Sequence, residues 1–502
     1  MTLRRRDFLR DTALTGIGMA AGAAVGGTSA ARAATPEDWH VGLRSIRRES
    51  LNGRLRVRHG RLPDGLRGTL YRNGPARHAW GGRRYHHWFD ADGMIQAFHL
   101  TDAGPRHEAS FVQTHKHEAE RAAGRFLYPT FGTRWHDMRR PASPDDANAA
   151  NTNVVPHHGR LLALWEGGSA HALDPATLDT QGPVTWSAET ESLPFSAHPS
   201  VEADGTMWNF GVSLSEARLI LYEIAPDGRL RRAETVPLTK ATPMLHDFAT
   251  TRRHLVFLLP PLNFDINRYR DGASILDSHV WEPAMGMRAL VVDKADLSRR
   301  RWFDLPAGFV FHFGGAWDDG ESIRLDYDHY ADPGVVTEFA RDIMDGHLAA
   351  RSGWATATTV RLDLRRGTAH ADGFAGRSEF PRIHPGRVGA RYRFRYGLDA
   401  DDDADREHPF HNAVRSVDLE TGAMARYSFG PHVITEEHVV VPKPDGTGED
   451  AAWLLGTALD TAARRTRLTV FDAAAVGDGP VMEAELPYAL PLGFHGNFKA
   501  AG

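Results

Sequence analysis

Short apolar runs, each closed by a turn, recur along the whole chain and limit it to an all-β architecture. Examples are residues 160–165, 219–224, 254–259 and 468–471. Between such runs lie Asp92-Gly93, Asp204-Gly205, Asp227-Gly228, Asp319-Gly320 and Asp445-Gly446. Runs this short with turns of this kind read as antiparallel strands joined in hairpins. The 49 Gly and 29 Pro favour turns over long helices. Helix is expected only over 337–350 and 118–123, and the acidic run 399–405 reads as a solvated loop. No linker, internal repeat or low-complexity tract divides the chain. One large all-β domain over residues 34–502 is the economical reading. A β-propeller absorbs such a length while leaving only short, protected sheet edges. Periodicity alone does not set the number of blades.

The first residues read as an address. Arg4-Arg5-Arg6-Asp7-Phe8-Leu9 precedes an uncharged, small and apolar stretch that ends at Ala31-Arg32-Ala33. A charged start, an apolar middle and an A-x-A cleavage site make a signal peptide over residues 1–33. The paired arginines mark it as the twin-arginine type. The expectations are the twin-arginine export machinery as partner and a periplasmic or otherwise exported location. The stretch is too rich in Gly and Ala for a good membrane anchor. No later segment reaches the ~18 consecutive apolar residues of a membrane span.

A net charge of -5 argues against a nucleic-acid partner. The absence of Cys excludes disulfides, iron–sulfur clusters, thiolate zinc sites and a cysteine nucleophile. Any metal must then be held by His, Asp or Glu. Histidine is the compositional outlier, at 27 residues. Four stand out by context: His198 in Ser-Ala-His-Pro-Ser, His246 in Met-Leu-His-Asp-Phe, His312 in Phe-Val-Phe-His-Phe-Gly and His495 in Gly-Phe-His-Gly-Asn-Phe. Each adjoins a strand-like run. In a propeller the strand starts of different blades converge on the axis, so residues this far apart in sequence can meet there.

Several further motifs occur in order. They are Gly68-Thr-Leu-Tyr-Arg-Asn-Gly-Pro75, His87-Trp-Phe-Asp-Ala-Asp-Gly-Met94, the stretch 114–125 and Ser378-Glu-Phe-Pro-Arg-Ile383. With the four histidine contexts, this series resembles the carotenoid cleavage oxygenase family, which includes the lignostilbene dioxygenases. The resemblance implies a seven-bladed β-propeller with a helical and loop cap over an axial metal site. It implies one Fe(II) per chain held by His198, His246, His312 and His495, with O₂ as co-substrate. It also implies three glutamates behind these ligands. Glu379 is the clearest, Glu166 and Glu437 sit where the other two should be, and Glu436 competes with Glu437. The chain departs from the family pattern at Ala91, Ser200, Phe313 and Gly315. None of these removes a ligand.

Neutral imidazole suits Fe(II) and leaves up to two octahedral positions open. Carboxylates displaced behind the ligands would fix their tautomer and raise their basicity without occupying a coordination site. Three glutamates for four histidines leave one ligand, with His198 the candidate, without such a partner. The implied reaction is cleavage of a conjugated C=C bond by O₂ to two carbonyl products, which strictly requires no acid–base side chain.

The substrate is a carotenoid or apocarotenoid in the main reading, with peripheral membrane contact as a candidate route of access. The run 257–264 could form an apolar mouth, although a buried strand end is the plainer reading. The alternative is a stilbene or other phenylpropanoid, whose phenol Tyr85 and Lys116 would receive. Outside the dioxygenases, a non-catalytic propeller that binds a ligand is the second class. A zinc hydrolase is disfavoured by a fourth histidine.

Overall fold

The computed structural model describes residues 38–238, 242–347, 353–402 and 408–501, so the expected signal peptide lies outside the described residues. Strand pairing yields seven sheets of four or five strands, the blades of a propeller, together with two small two-stranded hairpins. Numbered round the ring, the innermost strands are Gly496–Ala500 in blade 1 and Asn153–His157 in blade 2. Ser200–Val201 and Ala249–Thr250 follow in blades 3 and 4. Phe309–Asp318, Glu379–Arg382 and Val433–Pro442 line blades 5, 6 and 7.

The blades are hairpin-built, as the turn signals predict. In blade 3, Met207–Ser213 pairs with Arg218–Ile224 in unbroken register from Met207↔Ile224 to Ser213↔Arg218. The Asp204-Gly205 turn before it needs a left-handed residue, and Gly205 supplies one at φ 85°. The two chain ends close the ring. Gly68–Arg72 pairs with Gly496–Ala500 in blade 1, and Arg56–Gly60 completes blade 7 beside Pro480–Glu485. Closure of this kind leaves no long open sheet edge.

Burial falls from the axis outwards. Val433–Pro442 is buried at every position but the last, whereas the outermost strand Arg56–Gly60 is exposed throughout. The hydrophobic core is divided among the seams between blades. Val256, Leu258 and Val291 of blade 4 meet Val310, Ile323 and Leu325 of blade 5, for example. Comparable apolar clusters fill the seams between blades 1 and 2, 2 and 3, 3 and 4, 6 and 7, and 7 and 1.

The seam between blades 5 and 6 is ionic instead. Arg395, fully buried, donates to Asp326 at 2.7 Å, Asp328 at 2.6 Å and Ser378 at 2.9 Å. Burial alone would weaken the guanidinium's hold on its proton, but the two carboxylates outweigh it and raise its pKa. A pair this deep is stable only because every charge has its partner.

A cap covers one end of the axis, and its apolar cluster includes Trp39, Tyr85, Phe126, Val336, Phe339 and Phe410. Helix is as scarce as expected, with different bounds. The first helix is His115–Ala123, capped by Thr114, whose hydroxyl accepts from the His117 amide, and stopped by left-handed Gly124. The expected 337–350 helix is a π turn, Val335–Phe339, followed by α-helix Ala340–Asp345. No helix among the described residues is long and apolar enough to cross a membrane. The acidic run is not wholly a solvated loop. Asp399 is buried and paired with Arg415 at 3.3 Å and Arg426 at 2.9 Å, because it ends a central strand of blade 6. Residues 403–407 of the run lie outside the described residues.

Candidate metal centre

Every one of the seven blades contributes to the centre. Blades 1, 3, 4 and 5 send His495, His198, His246 and His312, whose ligand atoms all lie within 4.8 Å of one another. Three of these histidines sit just outside or at the start of short inner strands, where the backbone has not yet entered its ladder. His312 lies inside a long strand, and there the register with its neighbour slips between Val310 and Phe313 and again before Gly315. Such bulges re-aim a side chain that a regular pleat would turn away.

Blades 2, 6 and 7 send Glu166, Glu379 and Glu437. Glu379 Oε2 accepts from Nδ1 of His312 at 2.5 Å, and Glu437 Oε1 from Nδ1 of His495 at 3.0 Å. Glu166 lies against Nδ1 of His246. Among the described residues His198 pairs with no glutamate; Asp247 is the carboxylate beside it, at 3.9 Å. A second bulge, between Thr435 and His438, lets adjacent glutamates of one strand both turn inwards. Glu437 takes His495, while Glu436 accepts from Arg72 at 3.3 Å, the Gly493 amide at 2.6 Å and Thr457 at 2.8 Å.

The electrostatics follow from these pairings. Burial works against ionised Glu379, but His312, the Tyr330 hydroxyl at 2.7 Å and the Phe380 amide outweigh it and hold its pKa well below the usual carboxylate range. Glu437 is held low in the same way, against burial, by Arg382 and His495. Burial pushes His495 down to about 3, with Glu437 opposing. Burial and the three neighbouring imidazoles push His198 well below its ordinary value. For His312 the nearby Glu379 outweighs burial and holds it above.

This donor set fits a cation. Adjacent Nε2 atoms are 2.9 Å apart for His198 and His246, 3.2 Å for His246 and His312, and 3.1 Å for His312 and His495. Metal–imidazole bonds of about 2.0–2.1 Å at right angles would put neighbouring nitrogens about 2.9 Å apart. His312 and His495 give their Nδ1 protons to carboxylates, so their Nε2 atoms carry bare lone pairs that face each other. Lone pairs converging in this way are satisfied by a Lewis acid between them. Four imidazoles with three carboxylates behind them suit a divalent borderline metal.

Sequence reasoning passed over several contributors. Phe380 stacks on His312 at 5.0 Å between ring centres and holds φ at 51°, a strained value for an aromatic residue. Arg382 pairs with Glu437 at 2.8 Å. Asp247, pushed up to about 6 by burial, accepts from the Phe313 amide at 3.0 Å and so ties blade 4 to blade 5. Their signals were adjacency to motif residues: Phe380 and Arg382 within Glu-Phe-Pro-Arg, and Asp247 after His246.

Above the histidines opens a cavity of about 190 Å³, walled by aromatic side chains that include Trp88, Phe89, Phe131, Phe311 and Phe494. Tyr85 and Lys116, the expected phenol contacts, do not line it. Lys116 is fully buried and donates to Asp92 at 2.6 Å and Glu120 at 2.9 Å. Tyr85 stacks on Phe126 at 3.9 Å between ring centres, with Trp135 at 5.9 Å. A lysine facing two buried carboxylates is committed to them, because releasing it would leave both charges unpaired. The run 257–264 is also absent from the cavity wall; Phe257 and Leu258 are buried in a blade 4 strand, as the plainer reading had it.

Comparison with known proteins agrees with this geometry. The family model described as retinal pigment epithelial membrane protein, RPE65, matches residues 43–500. Apocarotenoid-15,15'-oxygenase of Synechocystis is 31% identical over 93% of this chain and 97% of that protein. Lignostilbene-alpha,beta-dioxygenase isozyme III of Sphingomonas paucimobilis is 28% identical over 88% of this chain and 93% of that protein. The crystal structure of cobalt-substituted Synechocystis ACO superposes with a TM-score of 0.83 at 29% identity, covering 94% of this chain and 100% of that one. A propeller of this form, the ring of four histidines and a family match over nearly the whole described chain lead to one conclusion: this protein belongs to the RPE65/carotenoid cleavage oxygenase family.

Proposed function

We propose that the protein is an Fe(II) dioxygenase that cleaves a conjugated C=C bond of a carotenoid or apocarotenoid. One O₂ is consumed per bond, and each half of the substrate leaves with one oxygen as a carbonyl product. The observation that carries this reading is the convergence of His198, His246, His312 and His495 on one point, with His246, His312 and His495 lining an aromatic-walled cavity. A relative named for apocarotenoid cleavage supports it.

The chemistry that bound Fe(II) supplies is the activation of O₂ towards the double bond. The chain's own residues do the rest. Glu379 and Glu437 hold the Nδ1 protons of His312 and His495 and keep their Nε2 lone pairs directed at the centre. Their negative charge, with that of Glu166, partly balances a divalent ion that neutral imidazoles leave uncompensated. Phe89, Phe311 and Phe494 offer flat apolar faces to a planar polyene and exclude water from the reacting bond.

The phenolic alternative loses support in this chain, since Lys116 is committed to a buried ion pair and neither Tyr85 nor Lys116 lines the cavity. Residues 1–33 support a proposal of export, by the twin-arginine route, to the periplasm.

The test is aerobic incubation of the iron-loaded protein with an apocarotenal and, separately, with a resveratrol-like stilbene. The expected result is one O₂ consumed per apocarotenal and two carbonyl fragments identified by mass. No O₂ uptake with any polyene would refute the reading, and cleavage of the stilbene alone would replace it with the phenolic one.

A further inference from the structure

Three of the four candidate ligands have a glutamate behind them; the fourth, His198, faces a different space. A second cavity, of about 350 Å³, meets the ring of histidines. Residues from the innermost strands of all seven blades line it, so it runs along the propeller axis. Its wall includes Ser200, Thr250, Arg382 and Asn497, polar groups that water can solvate. The volume far exceeds the ~10–15 Å³ that one water molecule needs. His198 lines this axial channel and not the aromatic cavity, the reverse of His246.

Nε2 of His198 is turned to the centre, 2.9 Å from Nε2 of His246. With a cation bound there, Nδ1 carries the ring's proton and has a hydrogen bond to give. The carboxylate beside it is Asp247, whose Oδ1 lies 3.9 Å away, too far for a direct bond. Both side chains line the axial channel and are accessible in it, His198 10% and Asp247 11% exposed. A water about 2.8 Å from each atom spans a gap of this size. Asp247 has the capacity to accept it. Among the described residues its Oδ1 takes the Phe248 amide at 2.7 Å and its Oδ2 the Phe313 amide at 3.0 Å, and each carboxylate oxygen has two lone pairs. Its place is fixed from two sides, because Asp247 follows His246 in the chain and Phe313 follows His312.

We propose that Asp247 is the carboxylate that positions His198: a single water in the axial channel accepts from Nδ1 of His198 and donates to Oδ1 of Asp247. All four ligands then have a carboxylate behind them, three in direct contact and one across a water. A bridging water serves nearly as well as a direct bond in holding tautomer and ring direction. Asp247 is a positioning residue on this account. It touches neither O₂ nor substrate, and it links three ligands: His246 through the chain, His312 through the Phe313 amide and His198 through the water.

The inference rests on the proposed divalent metal at the four histidines and is independent of the substrate. Cobalt(II) affinity of the full chain is measured by competition with a calibrated chelator for the wild type, Asp247→Asn, His198→Ala and the double variant. Three imidazoles remain in His198→Ala, so it should bind more weakly but measurably. In the wild-type background Asp247→Asn should weaken binding about tenfold. In the His198→Ala background most of that loss should vanish, since the water has no ligand left to orient. An effect transmitted only through the Phe313 amide would appear equally in both backgrounds. Equal losses, or no loss in the wild type, would overturn the assignment. A crystal structure of the cobalt-loaded wild type checks the same point without any variant. An ordered water within about 3.2 Å of both His198 Nδ1 and Asp247 Oδ1 is expected; Nδ1 bonded to some other group would overturn it. If cobalt binds with this coupling but no polyene is cleaved, the role of Asp247 stands and the proposed reaction falls. If the wild type binds no divalent metal, both fall.

Discussion

Glu379 and His312 stand on adjacent blades, and the 2.5 Å hydrogen bond between them crosses the one seam of the propeller that is ionic rather than apolar. On that seam Arg395 ties Asp326 and Asp328 of blade 5 to Ser378, the residue before Glu379. The carboxylate that orients a candidate ligand is thus itself held by a buried charge network. An apolar seam would leave the relative slide of the two blades to packing alone. Directional bonds fix it to the tolerance that a metal ligand needs.

Replacing Glu379 by Gln keeps the size and removes the charge. Metal affinity should fall roughly 10–100-fold, while the circular dichroism of the β fold is retained. Competition with a calibrated chelator measures the change; an affinity equal to that of the wild type would contradict the role given to Glu379.

Removing a ligand should act on the metal and not on the fold. For His246→Ala or His495→Ala, iron per chain after purification should drop from about one to near zero, with the melting temperature of the metal-free protein little altered. Full iron retention in either variant would show that the nitrogen removed is not a ligand.

Lys116→Met leaves Asp92 and Glu120 facing each other with no cation between them. The expected loss is about 3–5 kcal/mol of stability, read by chemical denaturation. Any residual activity should fall equally for polyene and phenolic substrates. A loss confined to phenolic substrates, with stability intact, would restore Lys116 to the substrate site.

Arg395→Met should be costly for the same reason, about 3–5 kcal/mol, because Asp326 and Asp328 stay buried. Its specific mark is at the centre: metal affinity should weaken as well, since Ser378 and Glu379 lose their anchor. Destabilisation with metal affinity unchanged would separate the seam from the site.

Acid should destabilise the protein well above the range in which carboxylates titrate. Burial pushes His78, His107 and His438 down to about 3, from an ordinary value of 6.5. Between those limits the unfolded chain binds protons that the folded one refuses. The stability contributed by the neutral, buried rings is complete above pH 6.5 and is lost as the pH falls towards 3. The slope should be about 1.4 kcal/mol per pH unit for each such histidine. Urea midpoints measured from pH 8 to 4 check this; a flat profile would mean that these rings are protonated in the native state.

The amino-acid sequence determined the all-β class and marked four histidines by local context, while Glu166, Glu379 and Glu437 came from the family resemblance alone. Strand and turn signals are local, and so are the motifs around each histidine, which is why both were legible. Only the tertiary structure decided that Glu437 and not Glu436 meets His495, because a single-residue bulge determines which way each of two adjacent side chains points. It placed Lys116 in a buried ion pair away from the cavity and left His198 without a glutamate. Each of these depends on partners far apart in the chain, and burial and pairing are properties of the closed ring of blades that no local window contains.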